Sequence, residues 1–131
     1  MPTMADEREI FMSKARESLA SAENDLSGGR YNSCANRCYY ACFQAAVAAL
    51  IADDIKPSGQ WDHGYVQGQF VGQLVNRRKR YGTVHRRTLI DIMALRLRAD
   101  YELRSVTQTE ATRALARSRA LVQEIEERVH P

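Results

Sequence analysis

Apolar residues recur at helical spacing along almost the whole chain, and nowhere do they alternate over a useful length, so the pattern predicts helices and no strands. In the stretch from Arg30 to Ile51, RYNSCANRCYYACFQAAVAALI, the residues Cys34, Cys38, Cys42, Ala45 and Ala49 share one face. Ala35, Tyr39, Phe43, Ala46 and Leu50 form a second stripe beside it. A surface helix carries one apolar stripe, so two neighbouring stripes mark a helix packed on more than one side. This is the expected central helix. Among its apolar positions runs a polar stripe, Ser33, Arg37, Tyr40 and Gln44, whose atoms need hydrogen-bond partners wherever packing covers them.

The same periodicity places the other elements. Residues 4 to 27 read as a first helix, with Thr3 as N-cap and Phe11, Ala15, Leu19, Ala22 and Leu26 as its buried stripe. Gly28 and Gly29 end it, and so short a connection makes the central helix its antiparallel neighbour. Asp53 to Gln60, with Pro57 and Gly59, is a loop. A third helix is expected from Asp62 to about Lys79, with Val66, Phe70, Val71, Leu74 and Val75 as its apolar face. Gly64, Gly68 and Gly72 recur along it, which reads either as a groove for another helix or as a weak helix. After a turn at Tyr81 and Gly82, Thr83 is placed to cap a fourth helix reaching to about Leu103. Its two stripes are Leu89, Met93, Leu97 and Tyr101, and Ile92, Leu95, Ala99 and Leu103. Thr107 and Glu110 have capping-box spacing at the head of a fifth helix. The predicted fold is therefore an all-α, up-and-down bundle of four main helices plus one additional helix, in a single domain over residues 1–131. Helices with surplus apolar surface in so small a domain point to a homodimer, for which twofold symmetry is the commonest form.

Composition changes this picture little. The start, MPTMADEREIF, has no signal-peptide pattern, and no stretch approaches the roughly 20 apolar residues of a membrane span. The expected compartment is the cytoplasm, with no membrane partner, and three cysteines within one predicted helix fit a reducing interior. Cys34, Cys38 and Cys42 read as buried small hydrophobes; a fourth metal ligand is not evident, so no metal or cofactor is expected. The net charge of +3 does not choose a partner, but sixteen of the nineteen basic residues are Arg, the side chain suited to forked contacts with carboxylate or phosphate.

Two clusters carry candidate chemistry. RRKRYGTVHRR, from Arg77 to Arg87, holds Arg77, Arg78, Lys79, Arg80, Arg86 and Arg87 with His85 and no acid. The cations at the end of the third helix suit its dipole, whereas Arg86 and Arg87 fall near the start of the fourth, where positive charge is mildly unfavourable. A surface for RNA phosphates accounts for the whole turn; a solvated loop in an Arg-rich chain accounts for it equally. Farther on, RLRADYE places Arg96, Asp100 and Arg104 at ladder spacing. The functional reading is a polar cleft of Arg96, Asp100 and Tyr101 with Arg37, Tyr40 and Gln44 of the central helix.

The chain resembles the HEPN superfamily of small helical proteins. The likeness lies in Gly29, Arg30, Tyr31, Ala35, Asn36, Arg37, Tyr39, Tyr40, Ala41, Phe43, Ala45, Ala46, Ala49 and Leu50 of the central helix. Farther along it lies in His63, Val66 and Phe70, similar to an HxxVxxxF segment, and in Arg96, Ala99, Asp100 and Tyr101, similar to RxxADY. The resemblance implies a helical bundle that commonly dimerises, often beside a nucleotidyltransferase-like partner in toxin–antitoxin or defence systems. Many such proteins are metal-independent ribonucleases with an Arg-x4–6-His motif. Here Tyr101 stands where that motif after Arg96 has His, and Gln44 stands where the central helix often has one. Arg80 and His85 satisfy the spacing, but in a turn. The leading expectation is a binding or interaction module, associated with RNA or a nucleotide, with degenerate or absent nuclease activity. The alternatives are an endoribonuclease using Arg80 with His85, or Arg96 with Tyr101, and a structural partner of a nucleotidyltransferase-like protein.

Overall fold

Thr3 begins the first helix as its sequence predicts. Its hydroxyl accepts from the Asp6 amide at 3.1 Å, and its own amide donates to Asp6 Oδ2 at 3.0 Å, so two amides that helix geometry leaves without carbonyl partners are satisfied. In the computed structural model, which describes residues 1–130, helix α1 runs Met4–Ser27 and α2 runs Tyr31–Ala52. Gly29 makes the turn between them with a φ of 74°, a left-handed conformation that strains any residue with a Cβ.

Helix α2 is central: it packs against α1, α3 (His63–Gln69), α4 (Thr88–Tyr101) and α5 (Gln108–Val129). From Ala45 to Ile51 every residue is buried, on all sides of the helix. The core around it contains Met12, Phe70, Leu74, Leu89, Ile92, Leu121 and Ile125, each fully or nearly fully buried. Cys34, Cys38 and Cys42 lie in this core as free thiols. Burial pushes the Cys42 thiol up to about 12, so it stays protonated and packs as a small hydrophobe. The fold is all-α, with five helices and no strand among the described residues. None of those helices is long and apolar enough to cross a membrane.

The third and fourth helices depart from their predicted limits. Asp62 caps α3 by accepting from the Tyr65 amide at 2.8 Å, but the helix continues from Phe70 to Arg77 as a π-helix. The wider turn brings Phe70, Leu74 and Val75 to the core together. Nothing lies within 4 Å of a Cβ built on Gly68 or Gly72, so those glycines do not form a groove occupied by another helix of this chain. Instead of beginning α4, Thr83–Arg86 forms a 3-10 turn, and no side chain caps α4. That turn is held by His85, which is buried and meets Glu124 of α5 at 2.6 Å through Nε2. The capping box at Thr107 and Glu110 forms as expected, with the Glu110 amide 3.1 Å from Thr107 Oγ1. Asn32 Oδ1 accepts from the Val106 amide at 2.8 Å, tying the loop before α5 to the start of α2.

Candidate functional site

Three helices converge on one polar cluster. The spacing of Asn36, Tyr40 and Phe43 puts them on one face of α2, and that of Met93, Arg96 and Asp100 puts them on one face of α4. His63 and Gln67, one turn apart on α3, close the third side.

Arg96 is the centre of the cluster. It is 8% exposed, and its guanidinium carbon lies 5.5 Å from the ring centroid of Tyr39 and 5.3 Å from that of Tyr40. Its Nε donates to Asp100 Oδ2 at 3.1 Å. Burial alone would disfavour the charge; the hydrogen bond to Asp100 offsets this and holds the Arg96 pKa above its ordinary value. Asp100 also accepts from Asn36 Nδ2 at 3.1 Å. Asn36 Oδ1 in turn accepts from Arg37 Nε at 3.0 Å and Nη2 at 2.7 Å. Arg37 then lies over the Tyr40 ring, 5.1 Å from its centroid. The half-exposed Tyr40 ring therefore stands between two guanidinium groups, with Asp100 ion-paired to Arg96.

His63 joins the cluster through Tyr39, whose hydroxyl lies 2.6 Å from Nδ1. Burial holds the Tyr39 hydroxyl up at about 12, so it carries its proton at neutral pH. Gln67 Nε2 donates to the same oxygen at 3.4 Å, so the Tyr39 hydroxyl is shared between two side chains of α3. Burial first, and the nearby Arg96 charge second, lower the His63 pKa from its ordinary value, so the neutral form prevails at pH 7.

The structure brings Arg37, Tyr40, Arg96 and Asp100 together. Gln44 is elsewhere: its amide is hydrogen-bonded to Ser18 Oγ of α1 at 2.7 Å, because that side of α2 is covered by α1. Tyr101 is 75% exposed and takes no part in the hydrogen-bond network around Arg96. Arg80 and His85 do not form a pair. Arg80 Nε donates to Asp53 Oδ2 at 3.1 Å, while His85 is only 5% exposed and its Nε2 is engaged by Glu124. In the basic turn, Arg78 shares Asp53 with Arg80, Arg87 meets Asp91 at 3.1 Å, and Arg86 meets Asn76 at 2.8 Å. Arg77 and Lys79 are exposed.

Asn36, Tyr39 and His63 are site residues that periodicity does not reveal. The i, i+4 spacing of Asn36 with Tyr40 is a visible signal; for His63 only its place in the HxxVxxxF likeness marks it.

An all-helical domain with an Arg–Tyr–His cluster between three helices is the class that these observations define. The family model described as HEPN domain matches residues 9–128, and the chain belongs to that family. No curated protein matches its sequence.

Proposed function

We propose that this chain is a homodimeric HEPN binding module that holds a nucleotide or an RNA segment at the Arg37, Tyr40 and Arg96 cluster, without cleaving it. The two guanidinium groups of Arg37 and Arg96, 5.1 and 5.3 Å from the Tyr40 ring centroid, carry the reading. Two guanidiniums side by side suit phosphate oxygens. Tyr101 stands where the family motif after Arg96 has His, and it is 75% exposed and outside the Arg96 network, which supports binding without cleavage. The dimer is supported by the outer face of α4, where Ile90, Leu97 and Tyr101 share one side of the helix and are 46%, 39% and 75% exposed. A toxin–antitoxin setting and a nucleotidyltransferase-like partner remain proposals that rest on the family likeness.

Fluorescence anisotropy with labelled RNA and nucleotides, run in EDTA, tests the reading. The expected result is saturable binding that Arg37→Ala weakens by roughly tenfold, with the RNA intact afterwards. Cleavage lost in His63→Ala would replace the module with a metal-independent nuclease. Absence of both binding and cleavage would leave the protein-partner role. Light scattering on the same samples reads the dimer, and Leu97→Asp is expected to yield a folded monomer.

A further inference from the structure

The cluster between α2, α3 and α4 uses none of the basic residues that follow the π-helical segment. Those line a separate groove of about 440 Å³ between the turn and the end of α5. Lys79, Arg80 and Arg86 face it from the turn, and Glu124 and Arg128 face it from α5. Its charges are not balanced within the fold. Asp53 already serves both Arg78 and Arg80, and Glu124 holds His85. Arg86 reaches only a neutral acceptor, Asn76 Oδ1. Arg128 lies 5.4 Å from the centroid of the Tyr81 ring. Neither Arg128 nor Lys79 enters any of the ion pairs found among the described residues.

Lys79 adds a second, independent observation. Its φ is 53°, the left-handed conformation that helix ends usually assign to glycine. The Arg80 amide bonds to the Leu74 carbonyl at 2.7 Å and the Arg78 amide to that of Gln73 at 2.8 Å, closing the helix end around it. A side chain there strains the backbone by roughly 1 kcal/mol, and its ammonium forms no ion pair in the fold that offsets the strain. The groove also lacks an open stacking surface, since Tyr81 is only 6% exposed and Arg128 lies over its ring. It offers charge and forked donors, not a platform for a base.

We infer that this groove is a second anion site, in which Lys79, Arg86 and Arg128 hold a phosphoryl group of a nucleotide or of an RNA end without reading the base. The two Arg forks match phosphate oxygens, and the ammonium adds a point charge at the rim. The site stands whether or not the α2–α4 cluster binds RNA.

Calorimetric titration tests it with inorganic pyrophosphate, with AMP, and with one oligoribonucleotide carrying either a 5′-phosphate or a 5′-hydroxyl. Saturable pyrophosphate binding is expected to weaken roughly tenfold in Arg86→Ala and in Arg128→Ala. Arg77→Ala, outside the groove, should leave it unchanged. Lys79→Gly is the decisive variant: it relaxes the backbone, so binding should fall while the melting temperature holds or rises, which excludes unfolding as the cause. Preference for the 5′-phosphorylated RNA over its 5′-hydroxyl form assigns the site to RNA ends, and AMP binding with no such preference assigns it to free nucleotides. No saturable binding, or an equal loss in Arg77→Ala, would show only a diffuse positive field and overturn the site.

Discussion

The Tyr39 hydroxyl and His63 Nδ1 lie 2.6 Å apart, joining the buried heart of α2 to the first turn of α3. This contact engages Nδ1 of the imidazole, and burial of the ring with the Arg96 charge nearby links its protonation to stability. The folded-state pKa of His63 lies below its ordinary value, so the unfolded chain binds the proton more readily. The stabilising contribution is full above an ordinary imidazole pKa of about 6.5 and is lost as pH falls from there through the folded value. His63→Gln should therefore flatten the loss of stability as pH falls below about 6.5, measured by urea unfolding. In Arg96→Ala, proton NMR should find the His63 titration moved upward, because a nearby positive charge that opposes protonation is gone.

Arg96 is a buried cation held by one carboxylate and two ring faces. Arg96→Ala leaves Asp100 without its ion pair and uncovers Tyr39, at a cost of about 2 kcal/mol or more. Arg96→Lys retains the charge but not the planar contact with the rings, and should recover only part of the stability and of the RNA affinity. Chemical denaturation alongside anisotropy separates the two effects.

Gly29 holds the α1–α2 hairpin closed at a φ of 74°. Gly29→Ala should destabilise by about 1 kcal/mol through backbone strain, read as a lower urea midpoint with an unchanged slope. An Ala that left the midpoint unmoved would show that the turn relaxes to another conformation.

Glu110 has its carboxyl held down at about 2, first by its hydrogen bond with Arg98 and then by the Thr107 amide. A depressed folded pKa gives stability that is present above the ordinary carboxylate range and lost as pH falls through it toward 2. Glu110→Gln should flatten that acid limb. Thr107→Ala should cost about 1 kcal/mol at neutral pH by removing the cap itself, and thermal melts at several pH values distinguish these behaviours.

Helices and most of their caps were legible in the chain because both depend on short spacings. Apolar residues repeating at the helical period marked α1, α2 and α5, and the pairs Thr3–Asp6 and Thr107–Glu110 close caps within a single turn. The start of α4 was not legible, since His85 holds the preceding turn to Glu124, 39 residues away. The π-helical end of α3 was hidden too: its apolar residues satisfy an α-helical pattern while the core draws them into a wider turn.

The site divides along the same line. Arg37, Tyr40, Arg96 and Asp100 were nominated because polar residues stood among apolar ones, and a covered polar group must find a partner. Periodicity names the face of a helix but not the neighbour that covers it. Thus Gln44, one turn beyond Tyr40, bonds to Ser18 of α1, and Arg80 and His85, five positions apart, are held by different carboxylates. Tyr39 and His63 lie 24 residues apart on different helices, so no local spacing relates them. Packing of α3 against α2 alone brings that phenol to that imidazole.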